Sequence, residues 1–136
     1  MSWFYFIASD KKLEEYCTGI HLQGNAIVIE NEDRVLNIYR EEAEGYPEQY
    51  TMLKHIVGIE IGKYEYVKKE LLSYIKDAVG KCRQLEIWSI WMDDPDRDIQ
   101  VRRFKGDELS EDDVKWIFDQ EFFEHPQCLK MYKWCR

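Results

Sequence analysis

The sequence predicts an α+β domain: a single, mainly antiparallel sheet of about five to six strands, with two main helices (63–80 and 111–124) and a short C-terminal helix packed on it. Three observations lead there. The octapeptide Leu85-Glu86-Ile87-Trp88-Ser89-Ile90-Trp91-Met92 is largely apolar on both alternating faces, as a strand in the middle of a sheet must be. From Lys63 the apolar period changes from two to about 3.6. Most β-rich runs are joined by short polar segments, of the kind antiparallel neighbours need.

Residues 3–8 alternate Trp3/Tyr5/Ile7 against Phe4/Phe6/Ala8 and read as a buried strand. Asp10 to Cys17 suits a short helix capped by Ser9 or Asp10, with Leu13 and Tyr16 facing in. Gly19 and Gly24 bracket a loop or short strand containing Ile20 and Leu22. The runs 26–30 and 34–39 flank Asn31-Glu32-Asp33 and read as a hairpin. A charged loop at 41–48, punctuated by Gly45 and Pro47, separates it from a strand at 55–62.

The first main helix then carries Tyr64, Val67, Leu71, Tyr74/Ile75 and Ala78/Val79 on one face, a Glu65–Lys69 pair, and Gly80 as the residue past its end. Residues 55–92 form a strand–helix–strand unit that suits a crossover connection. The two-faced strand 85–92 stops at Asp93-Asp94-Pro95-Asp96-Arg97-Asp98. The run 99–104 carries two arginines and suits a pairing partner of 85–92 near a sheet edge. Ser110 and Asp113 form a capping box for the second helix, with Leu109 and Val114 as a hydrophobic staple and Val114, Ile117/Phe118 and Phe122 as its inward stripe. His125-Pro126 breaks that helix, and Pro126 suits the first turn of a final short helix bearing Leu129 and Tyr132.

At 136 residues the chain reads as one domain, 1–136, large enough to fold without a metal or disulfide. Its net charge of −8 opposes non-specific binding to nucleic acid or anionic membranes and favours a basic protein partner. No apolar run approaches the roughly 20 residues of a membrane span. The N-terminal apolar run is short and lacks the basic flank of a signal peptide. A cytoplasmic protein with reduced thiols is the expectation for Cys17, Cys82, Cys128 and Cys135.

Motifs with chemistry are weak. The turn 93–98 lacks the glycine and bidentate glutamate of a calcium loop. Gly58–Lys63 has three residues between its glycines where a phosphate loop has four, and Tyr64 stands where Ser or Thr would hold magnesium. His125, Cys128 and Cys135 have spacings unusual for zinc, and free cysteines pack well as small hydrophobes. No activated nucleophile stands out, so no cofactor, metal or catalytic residue is expected, and a non-enzymatic role is favoured.

Charge offers more. Segments 41–48, 93–98 and 107–113 hold thirteen of the 27 acidic residues. Solvated loops explain such runs simply. A functional reading brings two or three of them together on one rim with aromatics as a surface for a basic protein, with Glu41, Glu42, Glu44, Tyr46, Asp93, Asp94, Asp96 and Asp98 as the candidate contacts and Tyr50, Trp88 or Trp116 interleaved. In size and charge the chain is similar to bacterial immunity proteins, which neutralise basic toxins, although no motif carries the likeness. Two alternatives stand beside this reading. One is a small-molecule or enzymatic pocket between sheet and helices, lined by Trp3, Tyr5, Trp88 and Trp91. The other is a homodimer with an aromatic interface.

Overall fold

Seven strands form one mixed sheet in the order β2-β5-β6-β1-β7-β9-β8, and a separate hairpin pairs β3 with β4. The strands are β1 Trp3–Ser9, β2 Tyr16–Thr18, β3 Ile20–Gln23, β4 Ala26–Ile29, β5 Leu36–Arg40, β6 His55–Ile61, β7 Gln84–Trp91, β8 Gln100–Phe104 and β9 Gln127–Tyr132. The helices are α1 Tyr64–Lys81 and α2 Glu111–Phe118. This computed structural model describes residues 3–29, 31–40, 47, 50–91, 98–105, 108–118 and 125–132. The α+β class is as expected. The sheet is larger than expected and partly parallel, because β8 and β9 run in the same direction.

The two-faced octapeptide is an interior strand. β7 pairs antiparallel with β1 on one side and β9 on the other. Leu85 and Ile87 join the core beneath the helices, while Trp88 and Ile90 join a second core on the opposite face. Each such side chain contributes roughly 1.5–3 kcal/mol when fully buried. β6 and β7 are both antiparallel to β1, so they run parallel to each other with β1 between them. The strand–helix–strand unit therefore crosses over one intervening strand.

Both helices pack on the same face. Tyr64, Val67, Leu71, Ile75, Ala78 and Val79 bury the α1 stripe, and Val114, Ile117 and Phe118 bury that of α2. α1 runs through Gly80 to Lys81, and Cys82 donates the closing backbone bond to the Ala78 carbonyl. Glu65 pairs with Lys68, one turn away, at 3.3 Å. The start of α2 is as the sequence indicates: Ser110 Oγ accepts from the Asp113 amide at 3.2 Å and donates to its carboxylate at 2.9 Å. Ser110→Ala is expected to cost about 1 kcal/mol, read as a lower urea midpoint with an unchanged slope. Of the second helix as predicted, 111–124, residues 119–124 lie outside the described residues.

On the face away from the helices, Phe6, Ala8, Ile56, Trp88, Ile90 and Cys128 form the core, with Phe4, Tyr50 and Leu53 packed against it. The Trp88 ring stacks on Phe6 with centroids 5.8 Å apart and is met by Tyr50 at 5.5 Å. Its indole N–H donates to the buried carboxylate of Glu86 at 3.0 Å. The Lys130 ammonium lies 4.0 Å from the other Glu86 oxygen.

Four expectations are corrected. Residues 127–132 form a strand, not a C-terminal helix. Leu129 and Met131 enter the helix-side core and Cys128 the opposite one, so a period of two is used where the sequence also fits i,i+3. A strand here also satisfies the backbone of β7, which would otherwise be buried along an open edge. Second, β8 pairs with β9 and not with β7; its place at the sheet edge is as expected.

Third, residues 10–15 form no helix. Asp10 Oδ1 accepts from the amides of Arg83 and Gln84, both at 3.0 Å, and Ser9 Oγ donates to Cys82 Sγ at 2.8 Å while accepting from the Lys11 amide at 2.9 Å. Fourth, Ala26–Ile29 pairs with Ile20–Gln23 across Gly24-Asn25, where Gly24 adopts φ +64°, and not with the following run. The Asn31–Asp33 join becomes a short 3-10 turn, Glu32–Arg34, and β5 passes into the main sheet.

Candidate functional site

The acidic surface anticipated from contiguous runs is only partly within view. Glu41, Glu42, Glu44, Tyr46, Asp93, Asp94 and Asp96 lie outside the described residues. Asp98 is exposed just ahead of β8. In the third run, two of the acids meet cations. Glu111 lies 3.5 Å from Lys68, and Asp113 lies 3.8 Å from Arg102, whose guanidinium stacks 4.2 Å from the Trp116 ring. Lys115 reaches Glu65 at 3.9 Å, so the start of α2 is tied to α1.

The aromatic partners divide as well. Trp88 is 1% exposed and cannot serve as a surface anchor. Tyr50 is half-buried against it. Tyr5 packs against Phe118 under the helices, whereas Trp88 faces the other way, so these two of the four aromatics expected to line a pocket, Trp3, Tyr5, Trp88 and Trp91, do not line one together.

A different acidic, tyrosine-flanked groove is present. It has a volume of about 370 Å3 and is lined by Glu14, Glu15, Tyr16, Lys69, Glu70, Ser73, Tyr74 and Asp77. Two parts of the chain build it. The strap 10–15 carries the chain from β1 past two intervening strands to β2 and is pinned by buried Leu13. The other wall is the outer flank of α1, where Glu70, Tyr74 and Asp77 recur at helical spacing. The Tyr74 hydroxyl donates to the Glu14 carbonyl and fastens strap to helix. Burial, then the neighbouring Glu14 charge, pushes the Tyr74 phenol well above its ordinary value, so it stays a neutral donor.

Four carboxylates against one ammonium make this a negative groove with phenol rings on its walls. It opens beside β2, an edge strand of the sheet. A smaller groove of about 240 Å3, lined by Thr18, Gly19, Asn31, Arg34, Tyr66, Val67 and Glu70, adjoins it through Glu70. Such a furrow can hold extended cationic side chains and order their aliphatic stems on the tyrosines.

No known protein family, curated protein or solved structure matches this chain. Its site must therefore be judged on its own geometry.

Among the described residues, no three His, Cys, Asp or Glu side chains gather as a metal site. Cys128, a candidate zinc ligand in the sequence, is a buried strand residue whose thiol burial pushes well up, with Glu86 adding to the effect. Cys135 lies outside the described residues. No described helix is long and apolar enough to cross a membrane.

Contiguous charge runs direct attention away from the groove, because its carboxylates come from positions 14–15 and 70–77. The sequence does hold a signal for it: Glu70, Tyr74 and Asp77 on the outward side of a well-defined amphipathic helix, and a Glu14-Glu15-Tyr16 triplet entering a strand.

Proposed function

We propose that this protein is a non-enzymatic binding module that engages a basic protein partner through the groove between the strap 10–15 and α1. The observation that carries the reading is the local excess of carboxylates there, four against one lysine, flanked by Tyr16 and Tyr74. Tyr16 is 39% exposed and offers an amphipathic anchor, while the carboxylates steer and orient a cationic segment. The similarity in size and charge to proteins that neutralise basic toxins points the same way.

The test is binding of a defined lysine- and arginine-rich peptide, followed by fluorescence anisotropy across salt. Affinity should fall steeply between about 25 and about 300 mM salt, and Glu70→Lys with Asp77→Lys should weaken it at least about tenfold. The control is Glu108→Lys with Asp112→Lys, which changes net charge equally at exposed positions elsewhere and should lose far less. Equal losses in both variants would reduce the effect to overall charge and refute the groove. Binding indifferent to salt would refute the electrostatic reading altogether.

A further inference from the structure

In a chain of net charge −8, one groove has only basic and apolar side chains among its described lining residues. Lys12, Arg40, Lys54 and His55 surround it, Leu13, Ile56 and Val57 complete its lining, and its volume is about 330 Å3. The topology explains the convergence. β5 ends at Arg40, which is paired with Val57 of β6. β6 begins at His55, which is paired with Ser9 at the end of β1. Val57 belongs to the helix-side core and Ser9 Oγ contacts Cys82 on that same side, so Arg40 and His55 both project toward the helix side of one end of the sheet. The strap then crosses that end, with Leu13 buried and Lys12 beside the opening.

Five of the described lysines and arginines are already matched. Lys63, Lys68, Arg102, Lys115 and Lys130 each lie within ion-pair distance of a carboxylate. Among the described residues no carboxylate comes within that distance of Lys12, Arg40, Lys54 or His55. Neither Glu14 nor Glu15 lines the groove, although both follow it on the strap. The protein's overall negative field does not cancel such a site, because at physiological salt charges beyond about 8 Å are largely screened.

We propose that this groove binds a phosphate monoester, with the dianionic head among Arg40, Lys54 and Lys12 and the organic body against the strap at Leu13. A tetrahedral dianion can meet several cations at once, and a guanidinium engages two of its oxygens in parallel. A carboxylate carries one charge and cannot satisfy the same set. This site is separate from the acidic groove and does not depend on the function proposed for it.

The test is a titration of the full chain followed by amide and His55 side-chain NMR signals in dilute chloride buffer, with phenyl phosphate, inorganic phosphate and benzoate as probes. Saturable shifts are expected at residues 12–13, 40 and 54–57. Phenyl phosphate should bind a few-fold, about three to tenfold, more tightly than inorganic phosphate, and benzoate at least about tenfold more weakly than phenyl phosphate. Arg40→Gln and Lys54→Gln should each weaken phenyl phosphate about tenfold, Arg40→Lys less, and Lys76→Gln on the exposed side of α1 not at all. The spectrum of each variant without ligand reports whether it folds. Benzoate as tight as phenyl phosphate overturns the assignment to phosphate. Shifts spread over the lysines of α1, no saturation, or an unchanged affinity in both folded Gln variants overturns the site itself.

Discussion

Replacing Trp88 by alanine is expected to lower the unfolding free energy by about 4–8 kcal/mol, a loss comparable to the whole stability of many domains. Two effects add. Removing a buried aromatic ring costs about 3–5 kcal/mol through lost contacts and the cavity left between Phe6, Tyr50 and Cys128. The second effect is polar. The Trp88 indole is the donor to Glu86 Oε1, and Glu86 is only 7% exposed. Without that donor the carboxylate keeps Lys130 at 4.0 Å on its other oxygen. A buried acceptor left short of a partner costs about 1–3 kcal/mol.

Trp88→Phe shifts the balance between the two. It retains a six-membered ring in the stack but loses the N–H with the rest of the five-membered ring, so about 2–4 kcal/mol is expected. Urea unfolding followed by far-ultraviolet circular dichroism measures both variants without relying on which of the five tryptophans fluoresces. A Trp88→Ala protein within about 1 kcal/mol of the parent would mean that the face away from the helices is no true core.

Gly62→Ala and Gly80→Ala are expected to move stability in opposite directions, although both glycines flank or lie in the same helix. A methyl group at position 62 would fall on the Glu32 carbonyl oxygen and within 2.8 Å of the Asp33 carbonyl. Those are backbone atoms and cannot swing aside. The same junction holds two hydrogen bonds, from the Gly62 amide to Val35 O and from the Lys63 amide to Asp33 O, each 2.9 Å. Opening it should cost about 2–4 kcal/mol. A methyl group at Gly80 meets nothing within 4 Å, and the residue is exposed inside α1. There alanine should stabilise by roughly 0.5–1 kcal/mol, through helix propensity and a less flexible unfolded chain. Thermal melts of the two proteins side by side suffice, and a shared sign would contradict the packing of the 3-10 turn against the entrance to α1.

What the sequence made legible was carried by local signals long enough to exclude alternatives. β7 announced itself because eight residues are apolar on both faces, and α1 because its stripe persists for more than four turns. The α2 cap was legible because its partners are three residues apart. The failures have a common cause in long-range competition. Six residues at 127–132 fit either period, and only the vacancy between β7 and β8 decides for a strand. Ser9 and Asp10 have the chemistry of caps, but Asp10 accepts from Arg83 and Gln84 and Ser9 donates to Cys82, all more than seventy residues later, and the Lys11 amide that Ser9 accepts opens no helix. Ala26–Ile29 had two possible neighbours, and the Gly24 turn favoured the earlier one.

The candidate groove was harder still. Sequence clustering weighs carboxylates that are adjacent in the chain, and one such cluster, at the start of α2, proves to face Lys68 and Arg102. Glu14 and Asp77 become neighbours only because the strap crosses two strands to meet α1. Nothing local encodes that crossing, since Leu13 anchors it and Tyr74 fastens it from a distance.

The position of β9 has a consequence for biosynthesis. Residues 127–132 occupy an inner slot, with β7 on one flank and β8 on the other. While a ribosome is still polymerising the segment before them, Ile87 and Trp88 lack the neighbour that will shield them, and β8 has no ladder to join. The nascent chain must hold this greasy gap open until translation delivers its plug, an interval in which its bare strand edge favours aggregation.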